Sequence, residues 1–166
     1  MKKSGFQKVT PEMIARDIMN KEFQTLRPTD TMAEAVNCFY RASGAGKRKV
    51  FGLMVTDENG TLVGILSMYD ILMLIQPKHV HIWGEMEDLE PDLLFDDLSA
   101  RVRSIQVGDI MTTDVITIKP ETHIMVIVDL MIRKHIRRIP VIEEGQIIGI
   151  VYISDVFYYL LQKMIK

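Results

Sequence analysis

Apolar and polar positions along the chain follow one grammar twice over. A short extended piece, "FQTLRP" (Phe23 to Pro28) and again "VITIKP" (Val115 to Pro120), stops at a proline, and apolar residues then recur at helical spacing. In the first copy Thr31 and Glu34 stand three apart before the apolar run, which predicts a capping box at the head of that helix. Next come two short apolar strands around a glycine turn, "GLMVTDENGTLVGIL" and "RRIPVIEEGQIIGIV", with Asn59-Gly60 as a hairpin signal. A second helix follows in each copy, "MYDILMLI" and "ISDVFYYLLQKM". The predicted order is strand, helix, strand, strand, helix, repeated.

The two copies can be superimposed residue by residue. "DIMNKEFQTLRP", from Asp17 to Pro28, aligns without gaps on "DIMTTDVITIKP", from Asp109 to Pro120, with five identities in twelve. The offset there is 109 − 17 = 92. Further on, "GTLVGILSMYD" aligns on "GQIIGIVYISD" at 155 − 70 = 85, so the first copy holds seven extra residues. They fall between Phe39 and Gly52, where "RASGAGKRK" reads as a flexible basic loop.

The connector between the copies is too long for a simple loop. From Ile82 to Ala100 it carries seven acids and no base, while Met86, Leu89, Leu93 and Leu94 recur at helical spacing, which predicts an acidic amphipathic helix or pair of turns. The lead-in "VTPEMIARDIM" reads as a short helix with Thr10 as cap and Pro11 at its first position. The expected organisation is a lead-in over residues 1–16, a first repeat over 17–75, the connector over 76–105 and a second repeat over 106–166.

Composition narrows the function classes. An apolar share of 48% suits a chain that buries a proper core. No run approaches the ~18 uninterrupted apolar residues of a membrane span, and the N-terminus lacks the apolar core of a signal peptide. A cytoplasmic location is expected. Cys38 is the single cysteine, which excludes an intrachain disulfide and a four-cysteine zinc site. A net charge of −2 argues against nucleic acid as a partner. No glycine-rich phosphate loop, nucleophile elbow or metal-protease signature is present.

The paired "DIM" starts, "IRRIPVI" and the paired glycine-to-aspartate endings resemble a tandem pair of cystathionine-β-synthase (CBS) domains, over nearly the whole chain from about Ala15 to Leu161. The resemblance implies an α+β fold of two pseudo-twofold-related β-α-β-β-α repeats forming one compact module. It further implies dimerisation into a disk, clefts between the repeats for adenosine-containing ligands, and a regulatory role without chemistry. AMP, ADP or ATP is the expected ligand class, with S-adenosylmethionine and other adenosyl compounds also compatible.

Carried onto this chain, the family's pattern gives a main cleft with Thr112, Val115 and Ile116 around the base, Arg137 and Arg138 towards phosphate, and Ile65, Ser67 and Asp70 on the ribose side. The chemistry suits these roles. A carboxylate can accept two hydrogen bonds from a ribose diol, arginine presents a planar fork to phosphate oxygens, and the helix start after Ser67 offers N–H groups to an anion. The second cleft would be lined by Asn20, Phe23 and Gln24, with Asp155 in place. There Tyr152 stands where the first repeat has Ser67, Gly52 and Leu53 are expected in place of the paired arginines, and cations remain only at Lys47, Arg48 and Lys49. This cleft is expected to bind weakly, differently or not at all.

Each feature also has a plainer reading. Ser67-x-x-Asp70 before an apolar run is a helix-capping pair in its own right. Arg137 and Arg138 can be a solvated strand end, or pair with Glu143 and Glu144. Cys38 beside Phe39 reads as a small core residue. His79 and His81 with Glu85 and Glu87 sketch a metal site whose spacing fits no specific motif, so a small metal-dependent enzyme is a remote alternative. A structural dimerisation module with vestigial clefts is the other. The leading expectation is a stand-alone, homodimeric regulatory module controlling a protein partner that its sequence does not name.

Overall fold

The computed structural model describes residues 13–44, 49–76, 96, 98–100 and 102–165. The expected cap at Thr10 and Pro11, the loop cations Lys47 and Arg48, the histidine pair and most of the acidic connector lie outside these residues. The elements are α1 (Ala15–Ile18), β1 (Thr25–Leu26), α2 (Met32–Ala42), β2 (Gly52–Thr56), β3 (Leu62–Ser67), α3 (Met68–Ile75), α4 (Val107–Ile110), α5 (Ile124–Lys134), β4 (Arg138–Glu143), β5 (Gln146–Tyr152) and α6 (Ile153–Met164). The expected α+β content is present.

The backbone divides into two compact units, residues 23–115 and residues 1–22 with 116–166. These units cut across the sequence repeats, because the short helix that opens each repeat packs with the sheet of the other. In the unit spanning 23–115, β1 runs parallel to β2 and β3 antiparallel to it. Helix α4, which opens the second repeat, docks on the proline turn of the first: Val107 N donates to Asp30 O at 2.9 Å and Gly108 N to Pro28 O at 2.8 Å. The other unit repeats this at the same offset, with Ala15 N donating to Thr122 O at 2.8 Å and Arg16 N to Pro120 O at 3.0 Å. Its β4 and β5 form an antiparallel pair, and the expected strand around "VITIKP" shrinks to a single parallel bridge between Ile118 and Val141.

The helices start where local chemistry tells them to. Thr31 caps α2 with the predicted box: Glu34 N donates to Thr31 Oγ1 at 3.2 Å, and Thr31 N donates to Glu34 Oε2 at 2.8 Å. The lead-in differs from expectation. Ile14 has extended dihedrals and is the cap of α1, so among the described residues the helix begins at Ala15. An Asp17 carboxylate accepts from the Ile14 N–H at 3.2 Å, and extension through Ile14 is displaced by its bridge to His123.

Each unit has its own core. Met32, Ala35 and Cys38 on α2 meet Leu26, Leu53, Leu66 and Val107 in one. Ile124, Ile127 and Met131 on α5 meet Ala15, Ile139, Val141, Val151 and Val156 in the other. Burying one such aliphatic side chain contributes about 1.5–3 kcal/mol, so these stripes, repeating at three and four residues, hold the helices to the sheets. Cys38 is a core residue as expected. Its Sγ donates to Gln24 Oε1 at 3.1 Å, and burial pushes the thiol pKa up.

The hairpins close differently. Glu144 and Gly145 both have positive φ, 49° and 81°, which gives a tight two-residue turn. At Asn59-Gly60 only Gly60 is in the left-handed region, and Asp57 Oδ1 accepts from both Asn59 N and Thr61 N at 2.9 Å. Five residues therefore separate Thr56 from its partner Leu62, whereas four separate Ile142 from Ile147. That single extra residue changes which side chains of the two repeats correspond.

Candidate functional site

Two small constellations recur, one in each unit. In the first, Ile65 on β3 forms an antiparallel bridge with Thr112 just past α4: Ile65 N donates to Thr112 O and Thr112 N to Ile65 O, both at 2.9 Å. Ser67 ends β3 two residues later and caps α3. Its backbone N–H and its hydroxyl both donate to Asp70 Oδ2, at 2.7 and 2.6 Å, and Asp70 N donates back to Ser67 Oγ at 3.2 Å. The capping reading of Ser67 and Asp70 is thus realised. Both bonds from Ser67 fall on Oδ2, so the capping bonds use one oxygen of the carboxylate.

The second constellation uses the equivalent positions with other side chains. Asn20 N donates to Ile150 O at 2.8 Å and Ile150 N to Asn20 O at 2.9 Å. Tyr152 ends β5 and occupies the cap position of α6 without a side-chain capping bond, while Asp155 lies in the first turn. The Asn20 Oδ1 accepts from Glu22 N at 2.8 Å, which fixes the amide orientation.

Of the residues expected around the main cleft, Ile65, Ser67, Asp70, Thr112 and Val115 belong to the unit spanning 23–115, and Ile116, Arg137 and Arg138 to the other. Arg137 precedes β4 and is exposed. Arg138 is the first residue of β4, half-buried, and pairs in register with Tyr152. Glu143, named above as an alternative partner for the arginines, stands at the far end of β4 and accepts instead from Arg16, whose pKa is raised by its bonds to Glu143 and Glu121.

Two expectations need correction. The start of α3 does not present a row of open N–H groups, because Met68 N donates to Phe51 O at 3.0 Å and Asp70 N to Ser67 Oγ. Gly52 and Leu53 are not the counterparts of Arg137 and Arg138. The sheet register pairs Gly52 with Ser67 and Arg138 with Tyr152, so Arg138 corresponds to Gly52 and Arg137 to Phe51. The backbone agrees: Phe51 O accepts from Met68 N, and Arg137 O accepts from Ile153 N at 2.9 Å. Leu53 is core, only 2% exposed, like its true counterpart Ile139 at 0%.

Phe51, half-exposed, is therefore the residue that sequence alignment passed over. The missed signal lies in the strands themselves, since shifting the offset to 86 matches Leu53 with Ile139 and Val55 with Val141. Of the remaining residues named for the second cleft, Phe23 is half-buried, Gln24 is exposed and accepts the Cys38 thiol, and Gly52 is buried. Lys49 is exposed.

A sheet hairpin with a helix after it occurs twice, each hairpin clasped by the opening segment of the other repeat, and this defines a tandem-repeat architecture. The CBS domain family profile matches residues 15–77 and 107–162, and the chain belongs to that family. It is 30% identical over 162 residues to the uncharacterized protein MJ1426 of Methanocaldococcus jannaschii, covering 90% of this chain and 92% of that protein. Among solved structures it is similar to CBSX2 of Arabidopsis thaliana in complex with AMP, at 26% identity and a TM-score of 0.67, covering 92% of this chain and 98% of that one. It is also similar to the CBS domain of a CBS domain containing membrane protein from Sphaerobacter thermophilus, at 28% identity, a TM-score of 0.70, and coverage of 89% and 87%. Among the described residues no helix is long and apolar enough to cross a membrane, and no cluster of three or more His, Cys, Asp or Glu could hold a metal ion.

Proposed function

We propose that the chain is a regulatory module that senses an adenine nucleotide, with AMP the first ligand to test. The observation that carries this reading is the Ile65–Thr112 bridge set two residues before the Ser67–Asp70 cap, in a chain similar over nearly all its length to a protein solved with AMP. Thr112 and Val115 take the base, and the Asp70 carboxylate, oriented by Ser67, accepts the ribose hydroxyls. Arg137 and Arg138 keep the phosphate role that the family pattern implies for them. The second set, Asn20, Phe23, Gln24, Tyr152 and Asp155, has Phe51 and Gly52 at the arginine positions and binds nucleotide more weakly.

Regulation then follows from differential binding. A ligand that binds one arrangement of the chain more tightly than another shifts the population towards it and alters the surface offered to a protein partner. The reading includes a cytoplasmic location and a homodimer built through the repeat helices. The half-exposed apolar residues Leu72, Met73, Phe157 and Tyr158 on α3 and α6 support the dimer. Light scattering at micromolar concentration should give the dimer mass, and a monomer with and without nucleotide would remove that part.

The test of the ligand is thermal melting against a nucleotide series, beside native mass spectrometry of the purified protein. A ligand specific to the folded form stabilises it by about 2.7 kcal/mol at a hundredfold excess over its dissociation constant. Adenine nucleotides should shift the melt more than guanine or cytosine nucleotides. Equal shifts would mean phosphate binding without base recognition, and no shift for any of them would leave the structural dimerisation module standing.

A further inference from the structure

We propose that Met111 with Gly64, and Met19 with Gly149, are positioning pairs that set the base-lining residues Thr112 and Asn20; this deepens, and rests on, the nucleotide reading above. A Cβ added at Gly64 would meet Met111 Sδ at 2.7 Å and Thr112 O at 3.0 Å. One added at Gly149 would meet Met19 Sδ at 2.7 Å and Asn20 O at 3.1 Å. The two carbonyls are the same ones that accept the bridge bonds from Ile65 N and Ile150 N. In both units, then, the missing side chain of a glycine leaves room for the methionine-bearing segment to settle until the bridge closes.

The contacts differ in how readily they yield. A thioether is flexible and can swing to another rotamer. The carbonyl cannot retreat by a few tenths of an ångström without lengthening the bridge bond, and that bond, with its reciprocal partner, holds Thr112 beside Ile65. Thr112 is exposed, so its direction depends on these backbone bonds and on the packed methionine behind it. The arrangement recurs at the two repeat offsets, 111 − 19 = 92 and 149 − 64 = 85, although the residue it positions is threonine in one copy and asparagine in the other. Base-lining chemistry varies between the copies while the seat beneath it is the same.

The experiment is calorimetric titration of the full chain with adenosine and AMP, at a temperature where circular dichroism shows each variant fully folded. Under that condition a merely structural role leaves affinity unchanged, because loss of stability does not alter the affinity of molecules that are all folded. Gly64→Ala should weaken adenosine at the tighter site by about fivefold or more, the equivalent of one hydrogen bond of about 1 kcal/mol. Met111→Ala alone should weaken it as well, and the double variant should lose less than the two single losses combined, because the alanine methyl then occupies space the thioether has left. Gly149→Ala should leave the tighter site unchanged. If Gly64→Ala fails to fold, Met111→Ala carries the test by itself. Folded variants that bind adenosine as the wild type does overturn the inference alone, whereas a wild type that binds neither AMP nor adenosine overturns the nucleotide reading and this inference with it.

Discussion

Asp70 Oδ2 accepts two hydrogen bonds from Ser67, one from its backbone N–H at 2.7 Å and one from its hydroxyl at 2.6 Å. One carboxylate oxygen is thus committed to starting α3, and that commitment aims the group. Capping and ribose binding become separable by substitution. Ser67→Ala should cost about 1 kcal/mol of stability, the usual worth of an N-cap, with a small loss of affinity. Asp70→Ala should lower stability similarly and weaken both AMP and adenosine about tenfold or more, since charge-assisted bonds contribute roughly 1.5–3 kcal/mol. Melting curves and calorimetry on the two variants check this, and equal affinities for wild type and Asp70→Ala would reduce the aspartate to a cap.

The arginines should discriminate between ligands where the aspartate does not. Arg138→Ala is expected to weaken AMP far more than adenosine, by about tenfold for AMP. Asp155→Ala should cost less than Asp70→Ala, because the second set of residues has Phe51 and Gly52 at the arginine positions and Tyr152 at the serine position. Should Asp155→Ala abolish binding while Asp70→Ala leaves it intact, the two sites have been ranked in the wrong order.

The register correction has a consequence for stability. Leu53, at 2% exposure among Leu26, Leu66 and Val107, should cost about 2–5 kcal/mol when cut to alanine. Phe51→Ala removes a half-exposed ring outside that core and should cost less. Urea denaturation of the two variants decides; a larger loss at Phe51 would favour the alignment in which Leu53 faces a ligand.

Acid should act partly through the cap of α2. The Thr31 backbone N–H, and after it the Thr31 hydroxyl, hold the Glu34 carboxyl below its ordinary pKa. A carboxylate whose pKa is lowered on folding contributes stability that is fully present above its unfolded pKa, about 4.3, and is lost as pH falls through the folded value. Glu34→Gln should therefore lower the melting temperature near neutral pH and leave a shallower acid decline below about pH 5. Parallel slopes for wild type and variant would mean the box contributes nothing to acid sensitivity.

Cys38 offers a probe of the core of the 23–115 unit. Burial raises its thiol pKa, and thiolate is the reactive form. A thiol reagent should label the native protein slowly at neutral pH and the urea-unfolded protein at once. Fast native labelling would show that α2 opens readily from β2 and β3.

Much of this was legible because it is local. The Thr31–Glu34 and Ser67–Asp70 boxes join residues three apart, and a helix start is decided by bonds that short. The doubled "DIM" and glycine-to-aspartate strings announced two copies of one unit, and the helical stripe placed Cys38 inside. Tertiary structure decided what depends on partners distant in the chain. Docking of α1 and α4 on the opposite repeat rests on bonds such as Arg16 N to Pro120 O, across more than a hundred residues of sequence, which no local pattern encodes. The strand register was decided by pairing as well: one extra residue in the Asp57–Thr61 turn moves the correspondence by one position, and in a strand one position exchanges the two faces. That exchange is why Leu53, expected beside a ligand, is in the core, and why Phe51 stands where the other repeat carries Arg137.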